Sequence, residues 1–154
     1  MRGRCLLSAA LVLTVLVSAA ADDKTDKDKL DPEKLVGTYT YVSGERNGGK
    51  VPEDNLKKGT VVITKDTITL KSEQGSFVIK YKLDAKKTPA TLEMEIKEAP
   101  KEAADAVGSK TGGIISMKGE EVKLCYAAMG GETPKEFAAK KDSGNHYFVL
   151  KKKK

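Results

Sequence analysis

The sequence predicts an all-β domain, an antiparallel up-and-down barrel of about eight strands behind a short helical turn. Three observations carry this. Apolar and polar residues alternate with period two, most clearly in Thr91 to Lys97, where Leu92, Met94 and Ile96 interleave with Glu93, Glu95 and Lys97. Glycine-rich and polar turn signals recur between such runs at near-regular spacing. No intervening segment has the length and period of a crossover helix, which excludes a parallel α/β sheet. A sandwich shares this pattern, and alternation alone leaves the two open. Consecutive hairpins joining neighbours favour a meander that closes on itself and removes exposed strand edges.

Residues 1–21 read as a secretory leader: Arg2 and Arg4, an apolar run from Leu6 to Val17, then Ser18 to Ala21 before Asp22-Asp23. At 1.5 Å per residue the run covers roughly 18 Å, short of the ~30 Å hydrocarbon core that an anchor must cross. Residues 22–31 are expected to form a disordered acidic and lysine-rich linker, because Asp22 to Lys29 offer no apolar side chain to bury. Asp31-Pro32-Glu33-Lys34-Leu35 sets a capping acid before a proline at the first helical position, predicting a short turn ended at Gly37.

Thr38–Val42 is a β-branched and aromatic run with Tyr39 and Tyr41 on one face, followed by the turn Asn47-Gly48-Gly49. Val51–Lys58 holds one helical turn. Gly59–Thr64 and Thr67–Lys71 are strands separated by Lys65-Asp66, the length of a two-residue hairpin turn although neither residue is glycine. In the next strand Phe77, Ile79, Tyr81 and Leu83 share the buried face, and Thr91–Lys97 follows. A polar connection from Glu98 to Gly112 contains a helical turn over Pro100–Val107. Gly113–Lys118 and Glu121–Ala127 then form a hairpin around Gly119 that buries Val122, Leu124 and Tyr126. An irregular stretch from Met129 to Ser143 leads to the last strand, Asn145–Leu150. The domain is placed at residues 32–151, with residues 152–154 as a basic tail.

The chain after Ala21 suffices for one domain that buries roughly two thirds of its unfolded surface. Its charge of +6 is less informative than it looks. Arg2 and Arg4 leave with the leader, Lys151 to Lys154 account for the rest, and Asp22 to Leu150 carry equal numbers of acids and bases. Nucleic-acid binding needs a basic patch interleaved with stacking aromatics, whereas the aromatics here sit at core phase along the strands. No nucleic-acid partner is expected. The lysine tail offers a contact for an anionic surface or an envelope protein, against the plainer reading of a solvated end. Cys125 is the only cysteine outside the leader, so no intramolecular disulfide can form, and its neighbours Leu124 and Tyr126 favour a buried thiol over an intermolecular bridge. Cys5 precedes the apolar run, the wrong side for lipid attachment.

Candidate chemistry is sparse. His146 is the only histidine, and Asp142, Ser143 and His146 lie too close in sequence to act as orienter, nucleophile and base. Glu93 and Glu95 stand about 7 Å apart on one strand face, but their phase opposes that of the apolar residues and turns them to solvent. Phosphate-loop, calcium-loop and metalloprotease spacings are absent. Neither an enzyme activity nor a cofactor or metal is expected.

Several short segments in order resemble an uncharacterised lipocalin-like family of exported domains from planctomycete-type bacteria. They are Gly37-Thr38-Tyr39 after the helical turn, Arg46-Asn47-Gly48 with Pro52 beyond, Gly113-Ile114, Leu124-Cys125-Tyr126-Ala127, and Thr133-Pro134-Lys135-Glu136-Phe137. The resemblance spans about residues 33–151 and implies a lipocalin-like barrel with no established activity. Tyr39 stands where such barrels carry the tryptophan of Gly-x-Trp, and Thr133-Pro134 replaces the family's Arg-Pro pair.

The reading that follows is an exported protein, periplasmic or extracellular and monomeric, that binds a small apolar or amphipathic ligand inside the barrel. The expected lining is Tyr39, Tyr41, Phe77, Ile79, Tyr81, Leu92, Met94, Leu124, Tyr126 and Phe148. The competing class is a structural or interaction module of the cell envelope, with a side-chain-filled barrel and partners met through loops 98–112 and 129–143.

Overall fold

The computed structural model describes residues 29–154; the expected leader and most of the expected linker lie outside the described residues. Eight strands close into an antiparallel barrel, and a ninth, two-residue strand extends one hairpin. In order the elements are α1 (Pro32–Leu35), β1 (Gly37–Arg46), β2 (Gly49–Lys50), α2 (Glu53–Lys57), β3 (Thr60–Ile63), β4 (Thr67–Ser72), β5 (Gly75–Asp84), β6 (Ala90–Glu98), a 3₁₀ turn (Lys101–Ala106), β7 (Lys110–Lys118), β8 (Glu121–Ala127) and β9 (Asn145–Lys152). From β3 to β9 each strand pairs with the next, β1 pairs with β3, and β1 with β9 closes the ring. The alternation of β6 becomes burial as expected: Leu92 and Met94 are 1% and 3% exposed, and Glu93 faces solvent.

The Lys65-Asp66 hairpin does without glycine because threonine side chains satisfy the turn. Thr64 Oγ1 accepts from the Thr67 amide at 3.0 Å, and Tyr81 Oη donates to the Thr64 carbonyl at 2.7 Å.

One end of the barrel is plugged. Asp31 caps α1 by accepting from the Glu33 amide at 3.0 Å, and the turn drives Leu35 completely out of solvent. The carbonyls that end so short a helix need partners from elsewhere. Tyr39 Oη donates to the Leu35 carbonyl at 2.7 Å and Lys152 Nζ to the Lys34 carbonyl at 2.8 Å. Beneath the plug, Val61, Ile63, Ile68, Leu92, Ile115, Val122, Leu124 and Leu150 fill the interior.

Two boundaries read from the sequence are corrected. The linker was expected to run to residue 31, but Leu30 is buried in the core and Asp31 is the α1 cap, because the plug draws both into the domain. Residues 152–154 are not a free tail. Lys152 pairs with Tyr39 at the end of β9, the Lys153 amide donates to the Thr38 carbonyl, and Lys154 lies 3.9 Å from Glu120.

The irregular stretch from 128 to 144 lies against the outer wall. Ile114 and Cys125, opposed in the β7–β8 register, point outward and are buried beneath it with Ala139. Cys125 Sγ lies 3.5 Å from the Ala138 carbonyl, and burial pushes its thiol up from the ordinary value. Gly112 is required here, since a Cβ would sit 1.8 Å from Thr133 Oγ1.

The plug and the alternating core predict a graded mutational response in urea unfolding at neutral pH. Leu92→Ala should cost about 2–5 kcal/mol. Tyr39→Phe, which leaves the Leu35 carbonyl unpaired, should cost about 1–3 kcal/mol. Glu93→Gln should stay within about 0.5 kcal/mol. Equal losses at Leu92 and Glu93 would contradict the assignment of faces.

Candidate functional site

The opposite half of the barrel is hollow. A cavity of about 490 Å³ opens at the end that carries α2, the β4–β5 turn and the 3₁₀ turn. On β7, Thr111 lines this cavity, whereas Ile115 and Met117 pack into the core of the plugged half. The walls are Leu70, Phe77, Ile79, Met94, Ile96 and Phe148, with Leu56 of α2 at the rim.

Of the ten lining residues expected from the sequence, Tyr41, Phe77, Ile79, Met94, Tyr126 and Phe148 line this cavity. Tyr39, Tyr81, Leu92 and Leu124 do not. They point inward as expected but lie in the filled half, and the hydroxyls of Tyr39 and Tyr81 are committed to the backbone at 2.7 Å. Burial raises the Tyr39 phenol to about 12.

The sequence reading missed Arg46 and His146. Strict alternation from Tyr39 and Tyr41 would turn Glu45 inward and Arg46 outward. A bulge between Tyr41 and Ser43 shifts the phase, leaving Val42 55% exposed and bringing Gly44 opposite Phe148 and Arg46 opposite His146. Gly44 was the available signal, because an isolated glycine inside a strand marks a bulge or a close approach. A Cβ there would lie 2.7 Å from the Phe148 ring. His146 was legible from its phase, two residues before Phe148 on the same strand.

These residues form one cluster. Phe148 packs edge-on to Tyr41 with centroids 5.2 Å apart and stacks with Tyr126 at 6.2 Å. Tyr126 lies 5.1 Å from the His146 ring, and the Arg46 guanidinium carbon sits 5.6 Å from the Phe148 centroid. Burial pushes both tyrosine phenols up, Tyr126 to about 12, and the Arg46 charge offsets part of that rise. His146 is held below its ordinary value by burial and by Arg46, and its Nδ1 is buried without a hydrogen-bond partner. The imidazole is therefore neutral at pH 7. Ser143 Oγ donates to the Lys140 carbonyl at 2.6 Å and so is engaged in its own turn. Among the described residues no three His, Cys, Asp or Glu side chains gather as metal ligands would.

Comparison of the chain with protein-family models, with curated proteins and with solved structures finds no match in any of the three.

The neutral His146 predicts an acid-side loss of stability. Its folded pKa lies below the unfolded value of 6.5, so on acidification the unfolded chain takes up the proton first. The contribution is fully present above that value and is lost as pH falls from it through the lower folded pKa. Melting temperatures followed between about pH 8 and 5 should fall more steeply for the natural chain than for His146→Gln. Parallel curves would show that His146 carries no such linkage.

Proposed function

We propose that this protein is an exported, non-catalytic binding module that holds a small apolar or amphipathic molecule in the open half of its barrel. The observation that carries the reading is the cavity of about 490 Å³, whose walls include Leu70, Phe77, Ile79, Met94, Ile96 and Phe148. That volume falls within the range of about 300–1,000 Å³ usual for small-molecule sites. Export rests on the leader pattern of residues 1–21. Lipocalin-like kinship belongs to the same proposal: a closed antiparallel barrel supports it at the level of architecture, and a fold leaves the ligand to the site.

The alternative of a side-chain-filled interaction module has less to stand on. Its interior would be packed at both ends, and loop 129–143, one of its two contact surfaces, is spent covering Cys125 and Ile114. A contact through the lysine tail is weakened in the same way, since Lys152 is tied to Lys34.

Titration with an environment-sensitive apolar fluorophore tests the proposal. The natural chain should bind it saturably, and Ile96→Trp, which fills the cavity from its wall, should weaken binding by about tenfold or more without lowering the melting temperature. Absence of saturable binding, or equal binding by the filled variant, would remove the proposal.

A further inference from the structure

We propose that the occupant is a single-chain amphiphile with an anionic head, held head-outward with the head on Arg46 and the tail between the apolar walls. This inference rests on the binding reading of the same cavity and adds the charge of what it takes.

The charge balance of the lining points this way. Its ionised side chains are Arg46, Lys58, Lys71 and Glu73. Glu73 is neutralised by Lys58 at 3.1 Å across the mouth, while among the described residues neither Arg46 nor Lys71 has an ion pair. The bulge in β1 brings Arg46 to the cavity rim, where the residue is exposed and its guanidinium carbon lies 5.6 Å from the Phe148 centroid, a contact that uses none of its hydrogen-bond donors. The surrounding groups suit an anion equally well. Among the described residues the hydroxyls of Tyr41 and Tyr126 have no hydrogen-bond partner, and they are not sealed from the cavity, in contrast to those of Tyr39 and Tyr81. Arg46, Tyr41 and Tyr126 all line the cavity and all pack against Phe148, and a planar cation with phenol donors matches a carboxylate or a phosphate monoester.

The remainder of the cavity excludes other classes. Leu70, Phe77, Ile79, Met94 and Ile96 make a run of apolar wall that a small hydrophilic anion would leave uncovered. A cationic amphiphile would fit the walls but meet Arg46 and Lys71. A neutral one would cover Arg46 without pairing it, forfeiting the contact that distinguishes this site from a plain apolar hole.

The test is calorimetric titration of the full chain with four ligands of one chain length: a fatty acid, an alkyl monophosphate, a primary alcohol and a primary amine. The acid or the monophosphate should bind about ten- to a hundredfold more tightly than the alcohol, and the amine most weakly. The tighter of the two anions names the head. Arg46→Gln should bring both anions down to the alcohol while leaving the alcohol unchanged. Arg46→Lys, which keeps the charge but loses the fork, should retain part of the preference. Should Arg46→Gln fail to fold, Tyr126→Phe should narrow the gap between acid and alcohol. If the alcohol binds as tightly as both anions to the natural chain, the inference is overturned and the binding reading stands. If none of the four binds, both fall.

Discussion

The structure depends on the pairing of its first and last strands, whose register joins Thr40 to Lys151 across 111 positions of sequence. Without that pairing the eight barrel strands would form an open sheet, with unpaired backbone donors and acceptors along both edges. With it, every residue acquires an inside or an outside, and the register decides which. Tyr41 faces Leu150, Gly44 faces Phe148 and Arg46 faces His146. The bulge after Tyr41 is therefore no local irregularity. It is the point at which the closing pair exchanges one alternation for the other, and it hands the inner face to a glycine and an arginine where unbroken alternation would have put Ser43 and Glu45. Gly44 in turn makes room for the Phe148 ring, against which Tyr41, Tyr126 and the Arg46 guanidinium all pack.

The same geometry explains what the sequence did and did not disclose. Strand positions were legible wherever one face is greasy and the other charged, as in β6, because burial there follows directly from phase. The ring itself was favoured on hairpin order. Division of the ring into a filled and a hollow half was not legible, since Tyr39 and Tyr41 share composition and phase and differ only in what lies above them. The plug meets the first, and the cavity the second. Nor was the outward burial of Ile114 and Cys125 visible as such. Alternation assigns one face to solvent, and only the path of the chain between 128 and 144 puts a second apolar layer over it. The lysines at the C-terminus misled for a related reason. A run of like charges suggests a solvated end, yet the carbonyls of α1 require donors, and Lys152 arrives from β9 at the right place.

The two ends of the barrel divide the work of the chain's tyrosines. At the plugged end, Tyr39 and Tyr81 give their hydroxyls to backbone carbonyls and their rings to the core, so they contribute to stability alone. At the open end, Tyr41 and Tyr126 keep their rings against Phe148, and among the described residues their hydroxyls have no hydrogen-bond partner. Those hydroxyls are not sealed from the cavity. Beside them stand Arg46, which has no ion pair among the described residues, and the buried, unpartnered His146 Nδ1, so the open end gathers polar groups whose needs the rest of the described barrel does not meet.

That concentration is tolerable because the cavity is open. Arg46 is exposed at its mouth, and the hydroxyls of Tyr41 and Tyr126 are not sealed from it. An apolar occupant that covers Phe77, Met94 and Ile96 gains about 25 cal/mol for each Å² of apolar surface it takes from water. Occupancy by a molecule that binds only the folded barrel would also raise its stability by mass action. Because the plugged half supplies a core of its own, the residues of the open half need not be chosen for packing. Thr111 on β7 shows the result: a polar residue lines the cavity there and commits its hydroxyl to the Ala127 carbonyl at 2.7 Å.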